Sequence, residues 1–260
     1  MARCTLFWAT VMLALVPFLN GCSKEQEKSA PATENAAAKP ESPPSPASAP
    51  AAAKGTGAIA GRIVYKGTYK PDTLPVGRDK EVCGNSKTDP TLVVGAGSGV
   101  KNAVVQIDGL REGKSPVKEV VLDQVKCEYS PHVLVMPSGG TVRIKNSDGI
   151  LHNVHTLSKI NTPFNRAQPK FVKEISESFV KAEFVPVRCD VHGWMSGWIV
   201  VTDNVFFAVS GPDGGFEMTG VPAGKRTLEV WHESLGKSAL TVEVKPGETV
   251  TVSFEFQPKN

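Results

Sequence analysis

The 260-residue sequence carries little net charge, few aromatic residues and no long stretch of helical period. Its formal charge is only +3, and its 29 basic residues are dispersed rather than gathered in one stretch, which excludes the electrostatic footprint of a nucleic-acid binder. No zinc-protease motif such as His-Glu-x-x-His occurs. The apolar run over residues 6–19 is too short to span a bilayer comfortably, a task that takes about 20 residues. Histidine and cysteine are both scarce, with five of each, so every one invites an explanation.

The apolar run follows Met1, Ala2 and Arg3 and ends in Leu19-Asn20-Gly21-Cys22, the layout of a charged start, a hydrophobic centre and a small residue before a cleavage point. Leu-Asn-Gly-Cys resembles the bacterial lipoprotein box. That resemblance implies that residues 1–21 are a signal peptide, that Cys22 carries a lipid anchor, and that the protein sits at a membrane of the cell envelope, facing the periplasm. Ser23 is compatible with the outer membrane where a cell has two. A membrane helix is the competing reading. Residues 22–56 then form a tether of Ala, Pro, Ser, Glu and Lys with almost nothing to bury, at about 3 Å per residue where extended.

Beyond residue 56 the text changes to short runs rich in Val, Ile, Thr and Phe, punctuated by Gly, Pro, Asn and Asp. Strands are predicted over 58–65, 103–107, 119–122, 133–136, 141–146, 153–157, 177–179, 184–188, 197–202, 206–209, 215–219, 225–232, 238–244 and 249–256. The chain is therefore all-β, and the strands are too many for one small sandwich. Two β-sandwiches are expected.

Two islands of ligand-type residues stand out: Leu151-His152-Asn153-Val154-His155, and Cys189-Asp190-Val191-His192-Gly193-Trp194-Met195. The second places a thiolate, an imidazole and a thioether on one loop between two strands. Such a loop supplies three ligands and needs a fourth from elsewhere. Residues three apart in a strand point to opposite faces, so only one of His152 and His155 can reach the same ion. Two imidazoles, one thiolate and one thioether are the set that favours copper in a trigonal plane with a weak axial methionine. Zinc, usually offered more thiolates or a carboxylate, and a core cluster without metal are the alternatives. With Cys4 in the leader and Cys22 lipidated, Cys83, Cys127 and Cys189 remain. If Cys189 binds metal, Cys83 and Cys127 are left to form a disulfide or to stay as two buried thiols.

The pattern Cys-x-x-His-x-x-Met, with His-Asn-Val-His upstream, resembles amicyanin, the short-loop member of the cupredoxins. Glu119-Val-Val-Leu-Asp, Cys127-Glu-Tyr-Ser-Pro and Gly139-Gly-Thr-Val-Arg-Ile-Lys-Asn146 extend the likeness over roughly residues 117–203, about a third of the chain. The resemblance implies a Greek-key β-sandwich, one copper ion in a blue (type 1) site and an electron-transfer function. It also implies His152 as the upstream ligand, Asn153 steadying the Cys189 sulfur through its backbone, and His155 pointing away. His192 would be the exit toward a redox protein partner such as a cytochrome c or a dehydrogenase. Trp194 and Trp198 depart from the pattern; beside an exposed His192 they could form an apolar docking face, or they close the end of the barrel. Copper storage or delivery would use the same ligands. A copper enzyme would need a second site with more histidines, so the chain is expected not to be an enzyme. His132 and His232 are isolated and are expected to pack or face solvent.

The tail, with Gly211-Pro-Asp-Gly-Gly-Phe216 and Gly220-Val-Pro-Ala-Gly-Lys225, resembles a carboxypeptidase regulatory-like, transthyretin-like sandwich. Strands before the copper segment complete that module. The expected division is 57–116 and 204–260 for this sandwich and 117–203 for the cupredoxin, inserted into it or packed tightly on it.

Overall fold

The computed structural model describes residues 55–110 and 117–258; the expected leader, Cys22 and the tether up to residue 54 lie outside them. Apolar side chains at every second position can be buried on one face only if the chain is extended and paired, and β-branched residues favour that conformation. The described chain accordingly forms eighteen strands, one turn of α-helix (α1, Lys80–Cys83) and a 3-10 turn at Ala96–Ser98. It is all-β. No helix among the described residues is long and apolar enough to cross a membrane.

In chain order, β1 (Thr56–Tyr65), β2 (Thr73–Pro75), β3 (Ser86–Thr88) and β4 (Val104–Ile107) come first. The middle block is β5 (Glu119–Val125), β6 (Glu128–Ser130), β7 (Val133–Pro137), β8 (Gly140–Asn146), β9 (His152–Thr156), β10 (Asn165–Gln168), β11 (Glu174–Phe179), β12 (Glu183–Arg188) and β13 (Ser196–Thr202). The last block is β14 (Phe207–Val209), β15 (Gly215–Pro222), β16 (Gly224–His232), β17 (Gly236–Val244) and β18 (Thr249–Phe256).

The outer blocks share sheets. One is ordered β15-β1-β18 and the other β14-β4-β16-β17, with Ile59, Ile63, Val105, Ile107, Leu228 and Phe254 buried in their common core. The middle block makes a second sandwich from the sheets β10-β9-β12-β13-β7 and β11-β8-β5-β6, closed over Leu122, Val142, Ile144, Phe179, Val185 and Ile199. Strand β8 shows the logic: Gly140, Val142, Ile144 and Asn146 are buried while Thr141, Arg143 and Lys145 lie at the surface side. Two parallel pairings, β5 with β8 and β7 with β13, tie its distant segments together.

The outer face of β7, β12 and β13 packs on β4 and β16 through buried Val104, Val133 and Val200, flanked by Phe184, Trp198 and Trp231. The Trp198 and Trp231 rings lie 4.9 Å apart edge-on, Phe184 lies 4.7 Å from Trp231, and the Trp198 Nε1–H donates to Glu233 Oε2 at 2.8 Å. Glu233 also pairs with His132. Trp198 therefore does not form a docking face: it stands on the strand that the other sandwich covers, and packs between the two.

Between Tyr69 and Leu92, which both pack against the first core, residues 70–91 cross the second sandwich as a strap. Its β2-β3 hairpin and α1 are too poor in apolar residues to have been read as strands or as core. Two of its side chains, Val76 and Cys83, are nonetheless buried in the core of the second sandwich. Cys83 is joined to Cys127 by a disulfide with an S–S distance of 2.02 Å. The Lys87 ammonium bonds the Lys126 carbonyl and pairs with Glu128 at 3.3 Å, which fixes the far end of the strap.

Candidate metal centre

Three elements deliver the site. His152 opens β9, Cys189 follows the end of β12, and His192 and Met195 sit on the short connection into β13. That connection is tight: the Cys189 N–H donates to the Met195 carbonyl at 3.1 Å and the Met195 N–H to the His192 carbonyl at 2.9 Å. Asn153 clamps it from the neighbouring strand, its Oδ1 accepting from the N–H of Asp190 at 2.7 Å and of Val191 at 3.3 Å. The Cys189 sulfur lies 3.2 Å from the same oxygen. Tyr129, buried beneath, donates its hydroxyl to the Asn153 carbonyl at 2.6 Å.

The side chains of His152, Cys189 and His192 converge, their ligand atoms all within 4.8 Å of one another and all three residues buried. The two imidazole Nδ1 atoms face each other at 2.9 Å, and the Cys189 sulfur is 3.8 Å from His192 Nδ1. Both outer nitrogens are tied to carboxylates: His152 Nε2 to Asp148 Oδ2 at 2.9 Å, and His192 Nε2 to Asp79 Oδ2 at 3.0 Å. With each Nε2–H donating outward to an acid, each Nδ1 is turned inward, the arrangement by which carboxylates orient metal-binding histidines.

Electrostatics favour a cation at the centre. Burial pushes the His152 imidazole down, yet the hydrogen bonds and charges of Asp148 and Cys189 carry it up to about 9. Burial pushes the Cys189 thiol up, but hydrogen bonds from His152 and from the backbone of Asn153, His192 and Val191 leave it below its ordinary value. His192 is held below the usual histidine range by burial and by the charge of His152, against the pull of Asp79. The centre thus gathers a thiol held below its ordinary value and two imidazole nitrogens within reach of one another. That donor set fits a soft ion bound by imidazole and thiolate.

Met195, 2% exposed, shares the loop with Cys189 and His192 and is buried in the same core as Cys189. With Trp194 it lines one wall of a cleft of about 710 Å³ between the strap and the second sandwich. His155 is not part of the cluster; its Nδ1 pairs with Asp190 at 2.9 Å, on the outer side. His132 is engaged by Glu233 and the Ser196 carbonyl, and His232 is buried with its Nδ1 accepting from the N–H of Ser234.

One expectation is overturned. His192 is not an exposed exit but fully buried, because the strap lies across the imidazole edge and sets Asp79 on Nε2. Trp194 is half-buried, its ring 5.0 Å from that of His192 and its Nε1–H donating to the Cys127 carbonyl at 3.2 Å, so it closes the site more than it offers a face.

Two residues escaped the sequence reading. Asp148 had a signal, since it sits in the Asn146-Ser-Asp-Gly149 turn four residues before His152; the Asn146 amide holds that turn by donating to the Ile150 carbonyl at 2.8 Å. Asp79 had none, being 113 residues from its partner.

No family model matches the chain, and no curated protein matches it. Among solved structures, an amicyanin variant in its reduced Cu(I) form is similar over 38% of this chain and 98% of its own, at 24% identity and a TM-score of 0.30. A purple cupredoxin from Nitrosopumilus maritimus is similar over 32% of this chain and 99% of its own, at 21% identity and a TM-score of 0.28. A copper-containing nitrite reductase from Thermus scotoductus SA-01 matches over 32% of this chain at 23% identity and a TM-score of 0.30; the match spans only 22% of that enzyme.

Proposed function

We propose that this protein is a mononuclear copper electron carrier of the blue, cupredoxin type, held at a cell-envelope membrane by lipid on Cys22, and that it is not an enzyme. The observation that carries the reading is the buried convergence of His152 Nδ1, His192 Nδ1 and the Cys189 sulfur, with Met195 on the same loop. These residues would hold one copper ion, which supplies a one-electron copper(I)/copper(II) couple when bound. The chain's own contribution is a rigid frame: Asn153 and the Cys189–Met195 backbone bonds fix the loop, and a disulfide and two carboxylates fix the imidazoles. Little rearrangement between redox states is what electron exchange asks of such a frame. The first sandwich is read as the accessory, regulatory-like module, with no catalytic role of its own. Its partner would be a redox protein of the same compartment.

Stoichiometric copper(II) added to the purified chain is expected to give an intense visible thiolate-to-copper band and a matching paramagnetic resonance spectrum, both lost in Cys189→Ser. A colourless copper-loaded protein would overturn the proposal. One observation favours a second reading, copper storage or delivery: His192, the expected electron exit, is covered by Asp79. Competition with a copper(I) chelator separates the two, because a delivery protein releases its ion readily and a carrier does not.

A further inference from the structure

We infer that Asp79 is a positioning residue for His192, holding the imidazole with Nδ1 toward the centre and closing that edge of the site. The inference rests on the metal-centre reading above and deepens it, since it assigns a role in the site to a segment of chain lying outside the second sandwich.

The geometry is built rather than incidental. Asp79 has a left-handed backbone, with φ 54°, a conformation that few side chains other than Asn and Asp adopt readily. Its carbonyl accepts the N–H of Val82 at 3.0 Å and of Cys83 at 2.9 Å, so the turn that sets its direction runs straight into α1 and the disulfide. Val76, three residues earlier, is buried in the core beneath the site, so the acid is pinned on both sides. Its side chain remains one-third exposed while the imidazole it touches is fully buried: the carboxylate is the lid on that edge. Arg78 Nε donates to the same Oδ2 at 3.0 Å, leaving the carboxylate oxygen shared between a guanidinium and the imidazole. On the other side the ring of Trp194 lies 5.0 Å from that of His192, so the imidazole is held between an acid and an indole.

A carboxylate on the outer nitrogen fixes the tautomer and ring angle of a ligand histidine and keeps electron density on the ligating nitrogen. Two effects are therefore separable. Asp79→Asn keeps an oxygen for the Nε2–H but removes a negative charge close to the centre; Asp79→Ala removes both.

The test uses the full chain in three forms: wild type, Asp79→Asn and Asp79→Ala. In metal-free protein, nitrogen–proton correlation spectra of the imidazoles read the His192 ring. A single Nε2–H tautomer is expected in wild type and Asp79→Asn, and an exchanging mixture in Asp79→Ala. In copper-loaded protein, competition with a chelator is expected to show Asp79→Ala weakened roughly 10- to 100-fold and Asp79→Asn close to wild type. The reduction potential of Asp79→Asn is expected to rise, because removing a nearby negative charge favours copper(I). An unaltered His192 tautomer and wild-type affinity in Asp79→Ala would overturn the inference. Should Asp79→Ala fail to fold, an unchanged potential in Asp79→Asn overturns it and a raised potential supports it. If the wild type takes up no copper, the metal-centre reading fails while the ring spectra of metal-free protein still decide whether Asp79 positions His192.

Discussion

Glu183 gathers several hydrogen bonds on one buried carboxylate, and replacing it tests whether that carboxylate is as charged as the structure requires. At the start of β12 it is 9% exposed, and its two oxygens accept from the backbone N–H groups of Lys159, Ile160 and Asn161, from the Asn161 side-chain amide at 2.9 Å and from the Ser158 hydroxyl at 2.9 Å. Asn161 in turn caps the next turn, its Oδ1 accepting the N–H of Val180 and of Lys181 at 3.0 Å. Burial pushes the Glu183 carboxyl up, but the backbone bonds from Asn161, Lys159 and Ile160 and the Asn161 side chain overcome it and hold the group at about 2, against an ordinary 4.5. At about 1.4 kcal/mol per unit, that difference stabilises the folded state by about 3 kcal/mol.

The sign follows from the depression. The contribution is complete above the unfolded value of 4.5 and is lost as the pH falls through the folded value of about 2. Glu183→Gln puts an NH₂ where one oxygen accepted, facing donors with donors, so it should remove at least the same amount, about 3 kcal/mol, at pH 7. Urea unfolding of both proteins between pH 7 and pH 2 is the assay. The gap between them should be constant down to about pH 4.5 and then close, because the wild type loses its advantage while the variant has none to lose. Copper uptake should be unaffected, since the cap lies at the opposite end of β12 from Cys189. A gap under about 1 kcal/mol at pH 7, or one that does not narrow on acidification, would refute the argument.

Replacing both Cys83 and Cys127 by alanine opens a loop of 44 residues, for which chain entropy gives a loss of about 4 kcal/mol in urea unfolding; a loss under about 1 kcal/mol would show the strap to be held without it. Tyr129→Phe strands the buried Asn153 carbonyl and should lower stability by about 1–3 kcal/mol while leaving the far-ultraviolet spectrum unchanged. Trp198→Ala should destabilise by about 3–5 kcal/mol and separate the unfolding of the two sandwiches into two calorimetric transitions, whereas a surface docking tryptophan would leave the melting profile single and unshifted.

The fold class was readable because alternation is a local signal: β8 and β18 announce themselves in seven or eight residues. Short edge strands were not. Asn165–Gln168 carries no β-branched residue, and its strand form follows from pairing with β9 at the sheet edge, Gln168 opposite His152. Met195 and the three converging candidate ligands are compressed into one seven-residue loop and one strand start, so their residue types alone raised the question of a metal. The carboxylates belong to another class of information. An aspartate is ordinary in any loop, and only tertiary placement makes Asp79 a partner of His192. The burial of His192 was lost for the same reason, because the covering strap is polar and its two anchors, Val76 and Cys83, do not form a pattern by themselves.

The carboxylates that hold the two imidazoles meet at a single crosslink. Asp148 accepts the N–H groups of Lys126 and Cys127, the latter at 2.7 Å, while the carbonyl of Asp79 accepts the N–H of Cys83 at 2.9 Å; Cys83 and Cys127 are bonded to each other. His152 and His192 are thus fixed through one covalent frame reached from opposite sides. Half of that frame lies before β4, in chain that belongs by sequence to the other sandwich. A segment cut at residue 117 would keep every candidate ligand side chain and lose Asp79, Cys83 and the buried Val76, leaving Cys127 unpaired and the outer edge of His192 open. The site is therefore a property of residues 76–83 and 119–202 together. The connection from β1 to β4, both strands of the first sandwich, brings the strap to the site through Val76, the Cys83–Cys127 disulfide and Asp79.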